Sequence, residues 1–390
     1  MSKIKYGAVF ILYFLVLFSL FIYSFTQIDL NLTLSSNQTY QIIQSQLITL
    51  GYFNRSSSAF IFSSLILLMG GFYFFFIISA KKGLLSENRI NKLILLSILI
   101  LIFAYPAFSH DIFNYMFDAR IITKYQANPY LHTALNFPSD LWTRFMHWTH
   151  RTYPYGPIWL VVSVPFSFLG FGKFVLTLFN FKLMFMLFHI GNIIIIGKIN
   201  SLVNPKFKLL GKVIYALNPL ILIESLLSPH NEVVMLFFSL LAVYEGYVRK
   251  RVFAGIIDMI ISAGIKFITI LGIIPLIISK YSSKKINIDY WFGINLMMIV
   301  IPLIVQIYYR EPYPWYFIMV IGFGIFLSKY LGVFFLLIGI TFGSIFRYIP
   351  YLYTGDYSKE VTVMQNKLFL IPLVISIILS LLVRNKKVLN

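Results

Sequence analysis

Between Ser109 and Gly156 runs the longest polar stretch of an otherwise apolar chain, and it holds four of the six histidines together with Asp111, Asp118, Asp140, Arg120, Arg144 and Arg151. Segments that only join helices are usually short, and long ones with structure of their own tend to carry function. The run from Ser109 to Arg120 predicts a helix with His110 beside its N-cap. On it Asp111 and Asp118 stand seven residues apart and share a face, with Asn114 and Tyr115 between them. Carboxylates so placed can take up a proton or hold a polar ligand. His147 and His150 are three apart with His110 not far off, a spacing at which neutral imidazoles could bind zinc. No cysteine and no compact His-Glu pair accompanies them, so no cofactor is expected and a divalent metal is kept only as the lesser reading.

The elements that must position this segment belong to a membrane. In 390 residues, 59% of side chains are hydrophobic and 12% charged, where soluble domains keep roughly a quarter charged. The net charge of +19 lies in short clusters between apolar runs, which membrane orientation explains without nucleic acid. The run from Tyr6 to Tyr23 reads as a retained anchor, because it is longer than a signal-peptide core and lacks a small-x-small cleavage pattern. Further runs begin near Ser58, Leu93, Phe174, Val213, Val233, Val252, Phe267, Ile288, Trp315, Leu331 and Leu368. The expectation is an all-α polytopic protein, one transmembrane domain over residues 1–390 with about twelve crossings. Clusters such as Lys81/Lys82, Lys206/Lys208, Arg249/Lys250/Arg251, Lys284/Lys285 and Arg384/Lys386/Lys387 then fall on the cytoplasmic side with both termini. Residues 109–173 become an outer loop. Within it, Pro157 to Leu169 is too short to cross and reads as a re-entrant or juxtamembrane helix, ended by Gly170-Phe171-Gly172. Val252 to Gly264 and Phe267 to Ser279 are also short and predict a V with its apex near Lys266.

Several motifs stand in order along the chain: Asp111 with Asp118-Ala119-Arg120, Asn128-Pro129-Tyr130, and Thr152-Tyr153-Pro154-Tyr155-Gly156-Pro157-Ile158-Trp159. Leu217-Asn218-Pro219-Leu220, Ser228-Pro229-His230-Asn231-Glu232, Ile265-Lys266-Phe267 and Tyr313-Pro314-Trp315-Tyr316 follow. In these the chain resembles the GT-C membrane glycosyltransferases, nearest the polyprenol-phosphate-mannose-dependent mannosyltransferases of prokaryotes and more distantly the first GPI mannosyltransferase. Where the GPI relatives have Asp-x-Asp, this chain has Ser109-His110-Asp111 and keeps only the second acid. Where prokaryotic relatives often show His-Asn-Asp, Glu232 follows His230 and Asn231.

The resemblance implies transfer of a hexose, mannose first, from a polyprenyl-phosphate donor to a glycan or lipid acceptor on the outer face of the cell membrane, with inversion. Such a donor carries its own good leaving group, so the enzyme has to deprotonate a hydroxyl and stabilise phosphate. Asp111 is then the base, although a carboxylate at a helix start can also serve the backbone amides there. Asp118 and Arg120, with Tyr153 and Tyr155, are candidates for binding sugar. A loop salt bridge is the plain alternative for Asp118 and Arg120, and an interfacial aromatic belt for the tyrosines. His230, Lys266, Arg310 and Arg347 are candidates for lipid phosphate, since charge beside an apolar segment is costly. Arg310 could instead pair with Glu311, and Arg347 could snorkel. Glu224 reads as a structural partner to a cation, and Lys182 receives no role. A transporter or flippase for a lipid-linked sugar is the alternative, disfavoured because the polar residues gather on one side instead of at the midplane of two halves.

Overall fold

A computed structural model describes residues 3–282, 287–383 and 386–388. Lys284, Lys285 and Arg384, three of the cations expected on the inner side, lie outside the described residues. The described chain is helical, with only an isolated bridge between Tyr330 and Lys387 in extended pairing. Its helices are α1 (Lys3–Ser24), α2 (Gln38–Ile48), α3 (Arg55–Lys81), α4 (Glu87–Leu101), α5 (Asp111–Thr123), α6 (Pro157–Phe168), α7 (Phe174–Val203), α8 (Lys208–Ala216) and α9 (Pro219–Leu222). They continue as α10 (Glu232–Val243), α11 (Val252–Ala263), α12 (Ile273–Tyr281), α13 (Ile288–Tyr309), α14 (Phe317–Gly324), α15 (Leu331–Phe346), α16 (Tyr348–Thr354) and α17 (Lys359–Leu382).

Each of the twelve apolar runs coincides with helix, but the helices differ in reach. Six stretches are long and apolar enough to cross a membrane: Tyr6–Gln27, Arg55–Lys81, Phe174–Val203, Ile288–Tyr309, Leu331–Thr354 and Lys359–Leu382. A seventh is possible where Pro205–Ala216 and Pro219–Leu227 meet at a 54° bend. The bend follows from Asn218-Pro219. Pro219 cannot donate to the preceding turn, and Asn218 restarts the helix by accepting from the amides of Leu220 at 2.9 Å and Ile221 at 3.2 Å. The side-chain amide of Asn218 also donates to Thr341 at 2.8 Å, fixing the corner against α15.

Three features deliver the polar segment. First, α5 packs against α6 and α7, and nearly every residue from Ile112 to Ile121 is buried, so the predicted loop helix is part of the core. Second, α6 spans twelve residues, short as its apolar length predicts. Third, α11 turns back on itself into the 3-10 turn Phe267–Gly272 and α12, forming the expected V. The apex docks on the start of α6, where the Gly156 amide donates to Ile265 O and the Ile158 amide to Gly264 O, both at 3.0 Å. A Cβ on Gly156 would sit 2.2 Å from Gly264 O, so only glycine permits this approach.

Candidate active site

Asp111 occupies the first turn of α5, where the helix dipole favours a negative charge. His110 sits at the N-cap position without capping through its side chain, and Ser109 Oγ accepts from the Asp111 amide at 3.2 Å. The Asp111 side chain is 14% exposed, the open end of an otherwise buried polar group. Burial pushes its carboxyl above the usual range, while Lys266, Arg151 and His147 pull it back. A carboxylate shifted in this direction is a stronger base than an exposed one.

Facing it is the turn between the Ile223–Leu227 π-helical segment and α10. The Ser228 hydroxyl accepts from the Phe108 amide at 3.0 Å, tying this turn to the approach to α5. His230 Nε2 lies 3.9 Å from Asp111 Oδ2, and Nδ1 lies 3.0 Å from Glu224 Oε2. The ring lies flat on Trp315 at 4.2 Å and 12°, and Trp315 stacks in turn on Tyr313 at 4.7 Å and 3°. Glu232, next along, takes Lys266 Nζ on Oε1 at 2.5 Å, and Lys266 also stands 5.3 Å above the Tyr155 ring. Tyr155 packs edge-on against Tyr115 at 5.5 Å. Around these groups several buried polar atoms have no hydrogen-bond partner among the described residues: both ring nitrogens of His230, Glu224 Oε2, Tyr115 OH, both amide atoms of Asn231, and Glu232 Oε2. Native interiors rarely leave polar atoms so, and each asks for an explanation.

The other sequence candidates divide. Asp118 is buried and forms no ion pair among the described residues. Burial pushes its carboxyl up to about 7, moderated by Arg151 and reinforced by Asp111. Tyr153 is buried, its hydroxyl donating to Gly156 O at 3.1 Å, and its backbone is latched to Pro129 O at 3.0 Å. Arg120 does not pair with Asp118. Its Nε donates to Asp140 at 2.8 Å and its guanidinium covers the Trp142 ring at 3.8 Å, beside a cleft of about 430 Å3 lined also by Thr123, Lys124, Phe168 and Phe171. On a helix rising about 1.5 Å per residue, Arg120 lies well over two turns beyond Asp111, which removes it from that carboxylate's neighbourhood. Burial alone would raise Asp140, but Tyr125, Lys124, Arg120 and the Trp142 amide all donate to it and hold its carboxyl well below the usual range. Arg347 is 3% exposed and is held by Glu311 at 3.2 Å and by Asn366, so it neither snorkels nor stands free. Glu311 thus belongs to Arg347, not to Arg310, whose residue is exposed.

The histidines of the long segment do not assemble. His110 and His147 stack at 4.0 Å, His110 Nδ1 lies 3.1 Å from Phe145 O, and His150 sits near Trp148. Burial pushes His110 down to about 4, with His147 adding to the effect, and it lowers His147 as well. Among the described residues no group of three or more His, Cys, Asp or Glu side chains is placed to hold a metal.

A family model described as alpha-(1->6)-mannopyranosyltransferase, N-terminal domain, matches residues 19–280. The chain belongs to this MptA_B family. It is accordingly a glycosyltransferase, a mannosyltransferase of GT-C-like kind, acting between a sugar donor and a glycan acceptor. No curated protein and no solved structure matches the chain. The matched stretch contains Asp111, Glu224, His230, Glu232 and Lys266, whereas Trp315 and Tyr348 come from beyond it.

Glu224, read as a partner to a cation, lies beside His230, itself one of the cation candidates. Tyr348 is the partner that sequence reasoning misses, and it carries no local signal. Lys182 carried one, a charge inside an apolar helix. Its Nζ donates to Ala104 O and Leu227 O at 2.9 Å, to Leu101 O at 3.3 Å, and to Leu226 O.

Proposed function

We propose that the protein moves mannose from a polyprenyl-phosphate donor to a hydroxyl of a glycan or lipid acceptor, with Asp111 as general base and inversion at the anomeric carbon. The observation that carries this reading is the meeting of Asp111 with buried, unpartnered polar atoms of His230, Asn231 and Glu232. A hydroxyl-rich ligand supplies the hydrogen bonds those atoms lack. Asp111 takes the proton of the attacking hydroxyl, the new bond forms to the anomeric carbon, and the lipid phosphate departs from the opposite face with its electron pair. Lys266, 21% exposed at the edge of this group, meets the phosphate. Arg310 is the second cation on that side, and Arg347 supports it indirectly by holding Glu311. Tyr153 and Tyr155 shape the sugar subsite and Asp118 orients the acceptor. No cofactor is invoked. The site lies on the outer face of the cell membrane, with both termini cytoplasmic and about twelve helical passages, counting short and bent ones.

The test is Asp111→Asn, assayed by transfer from a radiolabelled polyprenyl-phosphate mannose in reconstituted vesicles. Asn keeps volume and one acceptor oxygen, so a capping role survives while basicity is lost. We expect normal insertion and a rate lowered by about two to four orders of magnitude. A rate within about tenfold of the parent would remove Asp111 from the base role.

A further inference from the structure

Arg120, remote from Asp111, faces an opening of its own. Its guanidinium forms one wall of the cleft of about 430 Å3 between the C-terminal end of α5 and the turn that joins α6 to α7. The side chain is 9% exposed, and only its Nε is engaged, on Asp140 at 2.8 Å. Nη1 and Nη2 make no hydrogen bond among the described residues. Across the cleft Gly172 turns at φ +70°, a conformation that favours glycine, and a Cβ placed there would meet nothing nearer than Nη1 at 4.0 Å. Lys124, one turn beyond Arg120, sends its ammonium to the same Asp140 oxygen at 2.9 Å while 46% of its side chain stays exposed. Two cations thus share one carboxylate, and the cleft keeps a net positive charge. The hydroxyl oxygens of Thr123 and Ser167, also in its wall, lie 3.1 Å apart. One hydrogen serves that contact, so the other is left to donate.

The cleft opens at a membrane boundary. Gly172 stands just ahead of Phe174–Val203, a stretch long and apolar enough to cross a bilayer. Beside the cations Phe168, Leu169 and Phe171 are 68%, 53% and 72% exposed. A guanidinium with two free nitrogens, an ammonium and a spare hydroxyl are the donors that a phosphate takes. A free anion gains nothing from the bare apolar side chains next to them, whereas the chains of a lipid do. The lipid-phosphate donor does not fit here. Its phosphate must adjoin the anomeric carbon at Asp111, and Arg120 lies well over two turns along α5 from that carboxylate. We propose that this cleft is a second lipid site, which binds the phosphate head group of an anionic bilayer phospholipid. Arg120 and Lys124 hold the phosphate, Thr123 or Ser167 donates to it, and Phe168 and Phe171 meet the acyl chains. The site rests on the proposed function only where it excludes the donor.

Trp142, 3.8 Å from the Arg120 guanidinium, is a reporter inside the cleft. The experiment uses the full-length protein in phosphatidylcholine vesicles with a rising fraction of phosphatidylglycerol, one or other lipid carrying bromine on its acyl chains as a short-range quencher of tryptophan emission. Brominated phosphatidylglycerol should quench more than the same fraction of brominated phosphatidylcholine, and the excess should vanish in Trp142→Phe. Lys124→Gln, at an exposed side chain, should raise the phosphatidylglycerol fraction that gives half the excess by about fivefold, the worth of one cation near a lipid surface. Arg120→Lys keeps the charge but loses the planar fork, and should raise it at least as far. Equal quenching by the two brominated lipids, or an excess that survives Trp142→Phe, overturns the proposal. So does an unchanged half-point in Lys124→Gln, which decides alone if Arg120→Lys fails to fold. Millimolar inorganic phosphate should leave the excess intact, and its removal by that ion would mark a site for free anions and refute the lipid. Displacement of the brominated lipid by polyprenyl phosphate more readily than by unlabelled phosphatidylglycerol would assign the cleft to the donor, which is also refutation. No readout here requires sugar transfer, so a failure of the mannosyl-transfer reading would appear in the transfer assay and leave these results unchanged.

Discussion

Replacing Lys182 with Met tests how the two catalytic segments are held in register. The ammonium caps the C-terminal carbonyls of α4 (Leu101, with Ala104 just beyond) and of the π-helical turn (Leu226, Leu227), the points from which the chain runs on to Asp111 and His230. Helix C-termini carry partial negative charge, so a cation is the natural group to join two of them. In Lys182→Met, Leu101 O keeps the Ala104 amide at 3.1 Å, which leaves three carbonyls to lose their donor. At about 1–3 kcal/mol for each buried unsatisfied acceptor, the loss is roughly 3–9 kcal/mol. Several kcal/mol return because the ammonium no longer has to be desolvated. We expect a net destabilisation of about 2–5 kcal/mol, read as a melting temperature lowered by several degrees when tryptophan fluorescence is followed in detergent. Transfer activity should fall more steeply with temperature than in the parent. A melting temperature within about one degree of the parent, at roughly 1 kcal/mol or less, would refute the reasoning.

Three further outcomes follow from the geometry. Asp118 is held protonated to about pH 7 in the folded protein against an ordinary value of 3.8, so its contribution to stability is complete below that ordinary value and is lost as pH rises through the folded one. Asp118→Asn should therefore be the more stable protein at pH 8, by a few kcal/mol at about 1.4 kcal/mol per pKa unit, and equal to the parent at pH 4; parallel melting curves from pH 4 to 8 would contradict it. Gly156→Ala drives a methyl to 2.2 Å from Gly264 O, which must push the V away from α6 and carry Lys266 off Tyr155. Donor KM should rise with the fold retained, and an unchanged KM would show that the apex is free to move. A cysteine at Ser139 should label from outside intact cells and one at Lys206 only after permeabilisation, in a chain with no native thiol; labelling of both from one side rules out the proposed orientation.

What was legible in the sequence was whatever periodicity and length determine. Each apolar run became helix, α6 stayed short, and the break at Gly264-Ile265-Lys266 became an apex because two short apolar segments have no other way to return. Asp111 at a helix start was legible for the same reason. The partners were not. Arg120 finds Asp140 twenty residues on, Lys266 finds Glu232 at a separation of 34, and Glu224 finds Tyr348 at 124. Such pairs are chosen by which helices pack together, and local pattern carries no record of that choice. Apolar composition likewise overstates reach: α8 and α9 share one bent path, and α11 and α12 fold back as a pair.

Trp315 and Tyr348 enter the site from residues beyond 280, where the match to the family domain ends. The part of the chain that carries Asp111 and His230 is thus roofed and braced by a part that supplies neither its acid nor its base, although the proposed second phosphate cation, Arg310, comes from there. The two portions cannot drift independently: a substitution that shifts α14 or α16 slides a ring off His230 or a hydroxyl off Glu224, and is felt as chemistry. Boundaries drawn from sequence similarity therefore cut through the functional unit here, and grafting the first portion onto a foreign second half would transplant the reactive groups without the surfaces that aim them.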